Sequence, residues 1–175
     1  MSTPPAVGAD RFRAAMAHWA TGVSVVTAHD GGADAGLTVN AFLSVALTPP
    51  SVLVSLAREV DTLPVLEQSG HFGLSVLAGG QRAISERFAL AVPPAEKFLG
   101  LAVHRGPHGS PLLDGALAAL EARVVARTPA FDHVLVLGEV VHLESGADGP
   151  PLLFFRSGYA SADEAGRLLL PPRRA

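Results

Sequence analysis

Leu120-Glu121-Ala122-Arg123-Val124-Val125-Ala126-Arg127 puts small or apolar side chains at every second position. A period of two is that of a β-strand with one packed and one wet face. It assigns Glu121, Arg123 and Arg127 to the wet side. The next run, residues 134–143, is apolar on both faces apart from Glu139 and His142, as in a central barrel strand or one covered by a partner. Working outward, residues 72–77, 51–56 and 152–155 read as further strands, the second starting after Pro49-Pro50, which donate no ladder hydrogen bond. Residues 23–27 and 37–42 form a hairpin across Gly31-Gly32.

Helical spacing is confined to short stretches. Asp10 opens a helix whose Phe12, Met16 and Trp19 make a stripe expected to lie on the core, ended by Thr21-Gly22. Asp61 or Thr62 starts another, with Pro64 in its first turn and Ser69-Gly70 at its close. Residues 81–89 form a third, with Ile84 and Phe88 inward and Arg82, Glu86 and Arg87 outward, stopped by Pro93-Pro94. Residues 99–115, rich in Gly, Pro and His, read as loop. About seven strands, without strand–helix–strand repeats, imply a mostly β chain with short helices closed into an antiparallel barrel. The domain runs over residues 10–162, with tails at 1–9 and 163–175.

Composition narrows the chemistry. Of 175 residues, 49% are hydrophobic and 17% charged, enough for a core and unlike a disordered chain. Thirteen Lys and Arg against 16 Asp and Glu, with no long basic run, argue against nucleic acid as a partner. The absence of Cys removes disulfides, thiol nucleophiles and thiolate metal sites. No secretory signal opens the chain, and Pro49-Pro50 interrupt its apolar stretch at 45–56, so a cytoplasmic protein that does not enter the membrane is expected.

No G-x-G-x-x-G, P-loop or G-x-S-x-G pattern is present. Gly79-Gly80 reads as a plain turn, His104 and His108 as solvated loop residues. Asp132 and His133, adjacent on a strand, are expected to point apart, against a hydrolytic triad. More informative is Gly36-Leu37-Thr38-Val39-Asn40-Ala41-Phe42-Leu43-Ser44-Val45, read as a strand with Thr38, Asn40 and Ser44 among apolar neighbours. Ser55-Leu56-Ala57-Arg58 and the Asp61-Thr62 helix start add a cation and free backbone donors. Together they outline a pocket for a flat aromatic ligand ending in phosphate.

The chain resembles the flavin reductase family, the small reductase components of two-component flavin-dependent monooxygenases built on the FMN-binding split barrel. The resemblance rests on Phe12-Arg13 through Trp19-Ala20-Thr21-Gly22-Val23-Ser24-Val25-Val26-Thr27, the stretch from Gly36 to Pro50, and Val52-Leu53-Val54-Ser55-Leu56. It continues through Phe72-Gly73-Leu74-Ser75-Val76-Leu77, the helix ending at Phe88, Asp132 to Val140, and Pro151 to Tyr159. It spans about residues 10–160, and the order and spacing of the pieces carry it.

The resemblance implies that Thr38, Val39, Asn40 and Ala41, with Ser44, Val45 and Ala46, face an isoalloxazine. It implies that Ser55, Leu56, Ala57, Arg58 and Thr62 hold the ribityl phosphate, that Phe88 covers the flavin, and that Tyr159 lies near the same pocket. Asp132 and His133 are implied on the nicotinamide side, with His133 positioning that ring or donating to it. The implied cofactors are FMN or FAD, with NADH or NADPH as co-substrate; the implied partners are a second copy in a homodimer and an oxygenase receiving reduced flavin by diffusion. Two departures stand out: Phe131 replaces the family glycine before Asp-His, and Ala46 replaces a serine. Phe131 motivates the alternative of a flavin-binding or carrier barrel without pyridine-nucleotide turnover.

Overall fold

The structure, a computed structural model, describes residues 6–146, 148–162 and 167–169. Helix α1 (Ala9–Met16) leads into β1 (Thr21–Gly22), β2 (Ser24–His29), β3 (Asp34–Val39), β4 (Phe42–Leu47) and β5 (Pro50–Ala57). Helix α2 (Thr62–Ser69) and β6 (His71–Val76) follow, then a 3-10 turn at Gly79–Gln81, α3 (Arg82–Phe88) and α4 (Pro94–Phe98). The chain continues through β7 (Val103–Arg105), β8 (Pro111–Leu113), β9 (Ala118–Ala130), β10 (His133–Ser145), β11 (Leu152–Phe155), β12 (Gly158–Ala162) and β13 (Leu168–Leu169).

The main sheet has seven strands in the order β3-β2-β6-β9-β10-β5-β4, with every neighbouring pair antiparallel. Its two edges, β3 and β4, are consecutive in the chain and joined through Asn40 and Ala41 alone. Two residues bridge roughly 10 Å at most, so the sheet must curl until its edges nearly meet. Ser55 N–H donates to Ala41 O at 3.1 Å, carrying the β4–β5 pairing into the link itself. Inside the curl lie Val26, Val54, Phe72, Leu74, Ala122 and Val136, all fully buried, with Leu66 of α2 closing one end. Gly138 is required there because a Cβ would stand 2.6 Å from the Phe72 ring.

A second core lies outside the barrel. Val23, Val25, Leu77, Phe88, Leu113 and Leu152 pack between the barrel wall and a sheet of order β1-β11-β12-β13. Gly36 makes room for it, since a Cβ there would stand 2.7 Å from the Phe88 ring.

Several expectations are corrected. The stretch 36–45 is two strands rather than one, broken at Asn40-Ala41, so β3 ends before Phe42. Residues 99–115 contain β7 and β8, helix α4 stands just before them, and β12 follows the strand expected to be last. Leu168–Leu169 pairs with β12, so part of the expected C-terminal tail continues the sheet; residues 1–5, 163–166 and 170–175 of the expected tails lie outside the described residues. Phe12, Met16 and Trp19 do not lie on the core: all three are exposed, and α1 buries no residue.

Glu121 is buried instead of wet. Its carboxylate accepts the backbone N–H groups of His108 (2.7 Å) and Ser110 (2.9 Å), so the loop between β7 and β8 folds over it. The periodicity was right about its face and silent about the loop.

Candidate flavin site

Three adjoining cavities share the end of β3. Thr38 lines one of 340 Å³ and one of 310 Å³; Asn40 lines the latter and a third of 580 Å³. The result is a groove from Thr62 and Lys97 at one end to Trp19 at the other, each part within the size range of small-molecule sites. A further hollow of 410 Å³ over Leu66, Gly70 and residues 124–127 shares no residue with the groove.

The walls follow from strand alternation. On β5, Val52, Val54 and Leu56 turn into the barrel core, leaving Leu53, Ser55 and Ala57 on the outer face. Leu53 and Ser55 line the 580 Å³ part beside Asn40, Ala41, Phe42 and Leu43. On β3, Thr38 donates through Oγ1 to Ser85 O at 2.6 Å, which fixes its rotamer against α3. Ser85 Oγ and the Tyr159 hydroxyl are 2.8 Å apart, and the Tyr159 ring meets Phe154 edge-on with centroids 5.5 Å apart. Arg82 lies over the Tyr159 ring at 5.3 Å. Apolar walls with a few anchored polar groups can take a planar ring system.

Lys97 is the group that sequence reasoning missed. Its Nζ donates to Gly36 O (3.1 Å) and Phe88 O (3.3 Å), its side chain is buried, and it lines the 340 Å³ cavity with Asp61 and Thr62. Burial pushes its ammonium pKa down, opposed by the Asp61 carboxylate. A lysine between prolines and a phenylalanine carries no mark of burial in sequence, where lysine reads as surface.

The residues singled out from sequence divide into groups. Thr38, Asn40, Ala41, Ser55, Thr62, Phe88 and Tyr159 line the groove. Phe88 does so as buried wall, its ring edge-on to Phe98 at 5.0 Å. Val39 and Leu56 have side chains in the barrel core and offer the groove only backbone. Ser44, Val45 and Ala46 lie exposed on the edge strand β4 and line none of these cavities.

Ala57, Arg58, Asp132 and His133 form another cluster. Arg58 N–H donates to Asp132 O at 3.0 Å, and His133 stands opposite Ala57 in the ladder. Asp132 and His133 do not point apart: Asp132 lies in the two-residue turn between β9 and β10, and its Oδ1 is 2.8 Å from His133 Nδ1. That hydrogen bond, more than the Arg58 charge, holds the Asp132 carboxyl below the usual range. Because Ala57 shares a strand face with Ser55, His133 lies on the groove side of the sheet, about 7 Å along from Ser55 by strand rise. Phe131, beside Asp132 in the turn, is 96% exposed.

Comparison with known proteins bears on the fold and the family. The chain is 41% identical over 150 residues to the 4-hydroxyphenylacetate 3-monooxygenase reductase component of Thermus thermophilus, covering 86% of this chain and 94% of that one. It is 38% identical to an NADH-dependent flavin reductase of a Rhodococcus species, covering 93% and 92%. Among solved structures, the NADH:FAD oxidoreductase of Streptomyces globisporus C-1027 superposes with a TM-score of 0.82 at 31% identity, covering 89% and 97%. Residues 16–163 match the family described as flavin reductase like domain, and the chain belongs to that family.

Proposed function

We propose that this chain is an NADH-dependent flavin reductase that supplies reduced flavin to a separate monooxygenase. The observation that carries the reading is the groove along β3 and β5, lined by Thr38, Asn40 and Ser55, in a chain of this family. Relatives named as monooxygenase reductase components and as an NADH-dependent flavin reductase support both halves of the reading.

A bound flavin supplies the hydride acceptor, so the protein's task is to bind and orient two planar molecules rather than to provide a strong acid or base. Asn40, Ala41 and Ser55 offer amide, backbone and hydroxyl partners to the ring edge, with Phe42 and Leu43 as apolar support. Thr62 and Lys97 would attract the anionic end of FMN or FAD, with Arg58, beside Asp132, as a second cation just beyond β5. His133, pinned through Nδ1 by Asp132, keeps Nε2 for the carboxamide of NADH or NADPH. The reading also includes a homodimer: exposed Leu43, Val45 and Leu47 on β4, with Val141 on β10, need cover. The reduced flavin then leaves by diffusion to its oxygenase in the cytoplasm.

Anaerobic mixing of the protein with FMN and NADH tests this directly. Loss of the oxidised-flavin absorption band is the expected result; an unchanged band, with flavin still bound, would instead make the protein a carrier.

A further inference from the structure

We propose that the exposed ring of Phe131 is a stacking platform for the nicotinamide of NADH, setting affinity for the reductant and not for the flavin. The inference rests on the flavin-reductase reading and adds a residue to its site.

Phe131 and Asp132 alone connect β9 to β10. Phe131 has φ 56°, and Asp132 is not among the positive-φ residues. A two-residue hairpin with positive φ only at its first position is the pattern that favours glycine there. A phenylalanine in this conformation is strained. It is also 96% exposed, so it contributes nothing to either core. Both local terms favour a smaller residue, and the fold gains nothing visible from the ring.

The residues that follow Phe131 in the chain and bond to its turn have the chemistry of a nucleotide site. Asp132 follows it and holds His133 at 2.8 Å, and Arg58 donates its backbone N–H to Asp132 O, putting the guanidinium-bearing residue beside the turn. His133 is on the groove side of the sheet, on the outer face it shares with Ser55. A flat apolar face and an imidazole held by a carboxylate, with an arginine bonded to the same turn through its backbone, suit a planar heterocycle carrying phosphate. In such a site the ring is a positioning residue that holds the nicotinamide beside the groove.

The test uses full-length protein loaded with FMN, mixed anaerobically with increasing NADH. Phe131→Gly should raise the NADH concentration for half-maximal flavin reduction roughly tenfold, the loss of one good aromatic stack. Its FMN affinity should stay within about twofold, and its melting temperature should rise by about 2 °C because glycine takes the positive φ freely. Phe131→Ala should raise the half-saturation equally without the thermal gain, and Phe131→Tyr should restore the wild-type value. Unchanged half-saturation in the glycine and alanine variants overturns the proposal. So does a glycine variant that melts lower, or one that loses dimer mass as it loses NADH affinity, since the ring then serves the fold or a second copy. Wild-type protein that leaves flavin oxidised overturns the flavin-reductase reading and this inference together; wild-type turnover with unaltered variants overturns the inference alone.

Discussion

Lys97 ties α4 to β3 and the end of α3, its ammonium donating to Gly36 O and Phe88 O beneath the groove. Lys97→Met keeps the stem and leaves those carbonyls unpaired, so a loss of about 1–3 kcal/mol is expected in urea unfolding. FMN should also bind more weakly than riboflavin loses affinity, because only FMN carries the phosphate that the cation attracts. Gly36→Ala acts on the same wall, driving a Cβ to 2.7 Å from the Phe88 ring; about 1–3 kcal/mol of stability and a measurable part of flavin affinity should go with it. Thr38 and Asn40 stood out in sequence as small polar groups in an apolar strand, and Ser55 as a strand end before Arg58, a pattern that bonding to their own backbone explains as well; only the fold brings the three to one groove. Lys97 did not stand out, since its burial depends on a helix that two prolines disguised. The orientation of Asp132 toward His133 was illegible for a related reason: alternation applies within a strand, and Asp132 is in the turn.

Elements in the region 99–115 are held by side chains from distant strands, which explains why local pattern did not reveal them. His104 on β7 spans two carboxylates, with Nδ1 2.6 Å from Asp114 and Nε2 2.9 Å from Glu144 on β10, while His142 Nε2 takes the other Glu144 oxygen at 2.6 Å. The Asp114 hydrogen bond, then the Glu144 charge, raises the His104 pKa above 6.5. The His142 hydrogen bond, then the His104 charge, lowers that of Glu144 below 4.5. A raised histidine stabilises fully below its unfolded value and ceases to do so as pH climbs through its folded one. A lowered carboxyl stabilises above its unfolded value and ceases as pH falls through its folded one. The clasp should therefore be strongest between pH 4.5 and 6.5. Melting temperatures of wild type and His104→Asn, compared across pH, should differ most in that window and converge on either side. A difference that stayed constant across pH would mean the imidazole acts only by packing. The α1 stripe failed for the converse reason: its period was sound, but among the described residues nothing buries Phe12, Met16 and Trp19.

Barrel closure joins the two scales. The two-residue link between β3 and β4 brings the sheet edges together at the place where the groove opens, so the site is a consequence of closure rather than an addition to it. An antiparallel barrel was legible from strand count and alternation; the closing seam was not, because it depends on Asn40 and Ala41 being a break inside an otherwise continuous apolar run. Closure also leaves β4 as an edge strand with Leu47 87% exposed and Leu43 and Val45 about half exposed. Such an edge is a template for association unless covered. In a lone chain, Leu47→Glu and Val141→Glu would change stability by less than about 0.5 kcal/mol, as exposed substitutions do. In a dimer that buries about 800 Å² per partner through this face, two desolvated carboxylates would be prohibitive. Sedimentation equilibrium should therefore find the wild type dimeric and the double variant monomeric with its far-UV spectrum unchanged. A wild type that sediments as a monomer removes the second copy from the account of β4.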